Sequence, residues 1–333
     1  MMQLQSREKV AYLTALTLLF SYVEMILPRI IPFFRLGLGN IAILMALGMP
    51  FSSFMLLSLL KATAASLMGG ILFSPFYLVS LLQSFFSALV MYGIFLLNKK
   101  CKDKLISVYG ISVTGSAVSA LVQIISCAFY LGEGTYVLLG PMLIFNTASG
   151  IITAYISTKI SGEIKSDSLE KILRTESSKR VNDENKNHSF SQILYLFVLL
   201  VFSASLFFID NIYILIAALV ISFIAQKISG RKILLLPHLS LWIFIFLSTL
   251  VIPEGRVVFR IWNFGITQGA LITALEKSLR LSAVSALSQC AVSLKPSEES
   301  LLGLILAYYR TLSESFRNSS GNIFSRVKIT LCK

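Results

Sequence analysis

An all-α polytopic membrane protein is the fold class this sequence predicts, and three observations predict it. The chain of 333 residues is 56% hydrophobic and only 14% charged, against roughly 25% charged residues in soluble domains. Its mean hydropathy is +0.79. Apolar windows recur at about 10–27, 41–60, 62–74, 77–97, 105–131 and 137–158, then at about 191–209, 212–225, 233–252 and 264–292. A helix needs about 20 such residues to cross a hydrocarbon core.

The basic residues fall between these windows. Arg7 and Lys9 flank the first, Lys99, Lys100, Lys102 and Lys104 cluster in NKKCKDK, and Lys227, Arg231 and Lys232 sit in QKISGRK. Lys and Arg gather in cytoplasmic loops. Four spans separate the first two clusters, so the count closes with both termini cytoplasmic in the inner membrane. The net charge of +13 has its explanation there, and no soluble basic domain is left to bind nucleic acid.

Four cysteines (Cys101, Cys127, Cys290, Cys332) lack a C-x-x-C pair, and His188 and His238 stand alone. They supply no tetrahedral metal site, and the cysteines read as free thiols. No cofactor is expected. The polar start MMQLQSREKV does not suit a cleaved signal, so 10–27 reads as a retained first span.

Residues 161–190 are polar and mixed in charge, as in SGEIKSDSLEKILRTESSKRVNDENKNHS. Such a stretch cannot bury a core and reads as a cytoplasmic linker. It divides a six-span module, 1–160, from a module of about four spans with a C-terminal cytoplasmic helix, 191–333.

Within the first module RLGLGN, residues 35–40, lies between two apolar runs. Gly37 and Gly39 allow left-handed backbone and close approach of the chain to a ligand. Unpaired amides at a helix start hold anionic or polar groups. Asn40 suits a helix cap and Arg35 suits a carboxylate or phosphate. A plain turn with an interfacial arginine remains the alternative. Polar side chains inside spans are costly unless paired or facing a cavity. Gln83, Gln123 and Asn146 lie on three different spans and can line one ligand cavity or bond helix to helix. Glu24 can pair with Arg35 near the outer face, while Lys61 stands at an inner helix junction and suits snorkelling. SLMGG (66–70) and GISVTGSAVSA (110–120), with Gly110 and Gly115, are small-residue faces for packing, and a surface on which the two modules slide.

In the second module the run from Asn263 to Leu294 reads as one long tilted helix. On it Glu276 and Arg280, four residues apart, can neutralise each other. A helix then restarts after Pro296 and Ser297. Its stripe of Leu301, Leu304, Ile305 and Tyr308 suits docking to a cytoplasmic protein or lying on the membrane.

SYVEMILP, FFRLGLGNIAILMAL and ISVTGSAVSALVQII resemble the membrane family called heptaprenyl diphosphate synthase component I, or the Gx transporter family. That family is similar to the substrate-binding S components of energy-coupling-factor (ECF) transporters. GITQGALITALEKSLRLSAVSALSQCAVSLKPSEESLLGLILAYYRTL more weakly resembles their transmembrane T component. The resemblance implies an S-like module binding a small organic solute, flavin-like or isoprenoid-related, through Arg35, Gly37, Gly39, Asn40, Gln83, Gln123 and Asn146. It implies a T-like scaffold docking separate ATP-binding subunits, with Arg310 and Arg317 as coupling candidates. The chain departs from T components in lacking their Ala-Arg-Gly-like motifs, so the module reads as shortened. No G-x-x-x-x-G-K-[ST] loop occurs, so ATP must be bound in trans.

The family name also implies an alternative: the membrane partner, component I, of a polyprenyl diphosphate synthase. Such enzymes hold Mg²⁺ through clustered carboxylates. Asp103, Asp167, Asp183 and Asp210 are the only aspartates and lie far apart, so the chain is not an enzyme by itself. A ligand-free membrane scaffold is the third reading.

Overall fold

The computed structural model describes residues 2–26, 37–102, 106–163, 189–233, 235–250, 256–261, 264–292, 300–321 and 323–332. The fold is all-α and membrane-like, with six helices among the described residues of the first module: α1 (Met2–Ile26), α2 (Asn40–Met45), α3 (Phe51–Gly69), α4 (Pro75–Lys100), α5 (Val108–Leu131) and α6 (Leu139–Glu163). A 3₁₀ turn, Glu133–Leu138, leads into α6. Among the described residues four segments are long and apolar enough to cross a membrane: Phe51–Gly69, Pro75–Lys100, Val108–Leu131 and Glu133–Ile160.

The expected windows at 41–60 and 62–74 are redrawn. The chain breaks instead at Gly48–Pro50 and then runs as one helix through Lys61. Hydropathy dips at a lysine, but lysine is a good helix former, whereas the real break is apolar and invisible to hydropathy. Ser74 and Ser107 accept hydrogen bonds from Phe76 N–H and Gly110 N–H, capping α4 and α5. Pro75 stands at the first helical position of α4, where its missing N–H costs nothing.

Serine hydroxyls join neighbouring helices along the bundle. Ser58 donates to the Ser84 carbonyl at 2.9 Å, Ser87 to Gly115 at 2.8 Å and Ser112 to Gly150 at 2.7 Å. The small residues make this approach possible: a Cβ on Gly115 would stand 2.4 Å from Met91 Cγ, and one on Gly150 2.8 Å from Ser116 Oγ. The Gly115 face therefore packs α4 against α5 within the first module, and is not a sliding surface between modules. A Cβ on Gly110 would meet Ile106, a neighbour in its own chain segment.

These contacts fix helix directions. The antiparallel run α3–α6 puts the start of α3 and the ends of α4 and α6 at one end of the bundle. Gly37 lies beside Ser149 and the Ile41 carbonyl beside Ser157, so α2 runs with α6. Glu24 meets Gly37 while Thr17 lies beside Gly39, so α1 runs against α2. Lys9 thus sits at the same end as Lys99 and Lys100.

The second module contains α7 (Ser189–Ser205), α8 (Ile212–Ile228), α9 (Leu235–Leu250), a two-stranded antiparallel hairpin (β1 Val257–Ile261, β2 Phe264–Thr267) and α10 (Gln268–Ala291). The expected long helix from Asn263 therefore begins only after a strand. Thr267 caps α10, accepting from Ala270 N–H. Despite its modest hydropathy α10 is the central helix, with Ala274, Ala283, Ala286, Ser278 and Ser288 buried. Small side chains let α7, α8 and α9 pack close around it. Arg280 turns away from Glu276, contrary to the expected pair: it bonds the Ile209 carbonyl at 2.7 Å and Asp210 at 3.2 Å.

α10 lies across the other end of the first bundle. Lys277 donates to the Leu131 carbonyl at 3.0 Å, Ser288 Oγ accepts from Phe73 N–H at 3.0 Å, and Gln289 donates to the Gly69 carbonyl at 2.9 Å. Gly70 ends α3 with φ +64°, and a Cβ there would stand 2.1 Å from Gln289 Nε2. Gly70→Ala is expected to cost about 1–2 kcal/mol through left-handed backbone alone. It must also displace the Gln289 amide. Thermal unfolding in detergent of both single variants and of Gly70→Ala with Gln289→Ala separates the two terms: relative to Gln289→Ala alone, the double variant should show only the backbone cost.

The chain closes with α11 (Leu301–Asn318) and α12 (Ile323–Cys332). The stripe expected to dock a partner or lie on lipid is used internally. Ile305, Tyr308, Leu312 and Phe316 are buried in the core that contains α1, and the Tyr308 and Tyr12 rings meet edge to face at 5.8 Å. Arg326 reaches back from α12 to the Phe316 carbonyl at 2.7 Å and lies over the Phe316 ring at 4.4 Å.

Candidate functional site

The turn at Gly37 is built from both sides. Gly37 adopts φ +66°, which glycine reaches without a Cβ clash. Its carbonyl accepts from Asn40 N–H at 2.8 Å, and that of Leu38 from Ile41 N–H at 3.0 Å, so the chain winds directly into α2. The Gly37 and Leu38 amides then point away from the helix, and both find the Glu24 carboxylate. Gly37 N–H reaches Oε1 and Leu38 N–H reaches Oε2, each at 3.1 Å. The backbone donors that the sequence offers to an anion are thus held by an anion of the chain itself, thirteen residues upstream in the case of Gly37.

Gly39 has a different duty. A Cβ at this position would lie 2.8 Å from Ser21 Oγ, 3.3 Å from the Thr17 carbonyl oxygen and 3.5 Å from Lys61 Cε. The missing side chain lets α1, the turn and α3 converge. Asn40 was expected to cap α2, but the N-cap position is Gly39, which makes no side-chain cap. Asn40 instead accepts a short hydrogen bond from Lys61 Nζ. Lys61, placed by hydropathy at a helix junction, stands in the middle of α3 and turns its ammonium inward. Arg35, and with it the expected Glu24–Arg35 pair, lies outside the described residues.

Glu24, Asn40 and Lys61 are half-buried, and Gly37, which joins Glu24 to the turn, lies beside Ser149, near the centre of the Glu133–Ile160 span. Charged groups at that depth are costly unless paired, and mark functional sites by default. Here the carboxylate is satisfied by backbone amides and the ammonium by an amide oxygen. Sequence reasoning named Gly37, Gly39 and Asn40 and noted Glu24 and Lys61, but did not join them. Only the fold brings three separate helices to one turn.

The other expected ligand residues are not joined to this cluster by any hydrogen bond among the described residues. Asn146 donates to the Met142 carbonyl of its own helix at 2.9 Å. Gln83 Oε1 is buried without a partner, and Gln123 is half-buried on α5. Arg310 and Arg317 are both exposed on α11, on the side opposite its packed stripe. Arg326, which holds the end of α11, was not singled out from the sequence. Its signal was the basic residue eight positions beyond the last turn of an amphipathic helix.

Among the described residues no group of three His, Cys, Asp or Glu side chains is arranged to hold a metal ion. Chemically, the cluster holds one carboxylate of the chain at two backbone amides. It offers no general acid–base pair.

Residues 13–160 match the family of heptaprenyl diphosphate synthase component I. Residues 191–293 match a family described as a domain of unknown function, DUF8519. No curated protein matches the chain. No solved structure matches it.

Proposed function

We propose that this chain is a non-catalytic membrane subunit, the component I partner of a polyprenyl diphosphate synthase. The match of residues 13–160 to that family carries the reading. The residue chemistry agrees with it. Aspartate-rich clusters of the kind that hold Mg²⁺ and diphosphate are missing from the sequence, while the apolar helices are suited to holding a partner at a bilayer that receives its long hydrocarbon product.

A second reading keeps the ECF transporter. It rests on the two-module layout, in which α10 grips the ends of α3 and α5, and on the outward Arg310 and Arg317. In this reading Arg35, Gly37, Gly39, Asn40, Gln83, Gln123 and Asn146 meet a small organic solute, and an anionic solute takes the place of Glu24 on the turn. ATP-binding subunits act in trans on α11, and both termini are cytoplasmic. Purification of the full chain from its native membrane separates the two. Recovery of a soluble prenyl diphosphate synthase supports the first reading, and recovery of paired ATPase subunits overturns it in favour of the second.

A further inference from the structure

Read from hydropathy, the window 212–225 crosses the bilayer and puts QKISGRK (226–232) on the same side as NKKCKDK. The contacts at the two ends of α8 give the chain another course. Just before α8, the Phe207 ring meets Tyr130, at the end of α5, edge to face at 5.8 Å, and Asp210 pairs with Arg280 of α10. Just after α8, Arg231 donates to the Val292 carbonyl at 3.0 Å. Val292 follows α10, whose Gln289 holds Gly69 at the end of α3. Both ends of α8 are thus tied to the one end of the first bundle where α3 and α5 finish. Lys99 and Lys100 stand at the far end of α4, a helix of 26 residues and so about 39 Å long. α8 runs along the edge of the hydrocarbon layer instead of through it.

The turn that follows α8 is braced. Ser229 N–H and Gly230 N–H donate to the Ala225 and Lys227 carbonyls at 2.9 and 3.0 Å, and Gly230 takes φ +74°. The Gln226 side chain, 2% exposed, donates to the Lys232 carbonyl at 3.1 Å. This frame presents two kinds of surface. Ile228, Leu235 and Leu236 are 82%, 69% and 77% exposed. Lys227, Arg231 and Lys232 are exposed beside them, and no acidic residue occurs between Asp210 and Glu254. The depth is that of the headgroups, because the neighbouring turn joins the spans Phe51–Gly69 and Pro75–Lys100. Apolar side chains there meet acyl chains, and cations beside them reach the headgroups.

Lys and Arg gather on the cytoplasmic side, and that side belongs to the Lys99 end, where Arg7, Lys9, Lys100, Lys102 and Lys159 are exposed as well. Three cations kept on the other side call for an anion there. We propose that α8 lies in the leaflet on the far side from Lys99 and Lys100, and that its basic end is a binding surface for anionic phospholipid. Ile228, Leu235 and Leu236 enter the acyl region, and Lys227, Arg231 and Lys232 meet the headgroup phosphates. Three cations without an acid match a lipid of net negative charge better than a zwitterionic one. The surface shares no residue with the Gly37 turn and needs no synthase, so it stands or falls independently of the proposed function.

Two measurements on the full chain with Cys332→Ser test this. Cys101 is an exposed thiol at the Lys99 end, while Cys127 and Cys290 are buried. Ile228→Cys with Cys101→Ser moves the exposed thiol to the turn. A membrane-impermeant maleimide should label Cys101 and the thiol at 228 from opposite faces of sealed membrane vesicles. A fluorophore at 228 should be quenched by brominated phosphatidylglycerol in preference to brominated phosphatidylcholine. Lys227→Gln with Lys232→Gln, which leaves the Arg231 tie in place, should lower that preference by about fivefold or more, the weight of one cation at an anionic surface. Lys99→Gln with Lys100→Gln should leave it unchanged. Labelling of both thiols from one face, equal quenching by the two lipids, or quenching by aqueous iodide alone, which would assign the turn to a soluble partner, would overturn the proposal.

Discussion

Gly39→Val should destabilise the first module more than any other single change at the turn, by about 3 kcal/mol or more. The first atom of the new side chain already lies 2.8 Å from Ser21 Oγ and 3.3 Å from a backbone oxygen of α1. A hydroxyl can rotate away, but the Thr17 carbonyl belongs to a helix ladder and cannot. The β-branched methyls then press on the Lys61 stem. Gly48 supplies the control: nothing lies within 4 Å of a Cβ built there, so Gly48→Ala should unfold close to wild type. Thermal melting in a fixed detergent, with the two variants side by side, reads the difference. If Gly39→Val and Gly48→Ala melt together, α1 and the turn do not approach as described.

Glu24→Ala should cost about 3 kcal/mol, since two backbone donors lose a charged acceptor inside the bundle. Glu24→Gln keeps one carbonyl oxygen and should lose about half as much. The order Ala below Gln below wild type distinguishes this role from simple volume loss, because glutamine fills the same space. A Gln variant as unstable as the Ala variant would mean that the carboxylate has a further ionic partner. An Ala variant as stable as wild type would remove Glu24 from the turn.

Much of the first module is legible in the sequence. The windows at 77–97, 105–131 and 137–158 became α4, α5 and α6 because each is long, apolar and bounded by a serine cap or a glycine turn. The second and third windows were misdivided, because a hydropathy minimum at Lys61 looks like a loop and Gly48–Pro50 does not. The β-hairpin was missed because its first strand falls between two apolar windows and its second at the start of the next. RVVFRI, rich in β-branched and aromatic residues and followed two residues later by FGIT, carried a hairpin signal. At the site, GxG marked the turn, but nothing local marked its occupant. Hydrogen bonds across thirteen or more residues depend on how α1 docks, which no local pattern around Glu24 carries. The amphipathic stripe of α11 was legible as a stripe, but not what it covers. Its partner is α1 of the same chain, which composition could not indicate.

The account turns on this chain being a membrane partner that performs no bond chemistry alone. The most direct test is prenyl diphosphate formation by the purified chain in lipid vesicles, with and without the catalytic component of a heptaprenyl diphosphate synthase. The account predicts no product from the chain alone, and product formation that sediments with the vesicles once the catalytic component is added. Product from the chain alone, or a catalytic component that ignores chain-bearing vesicles, would contradict it.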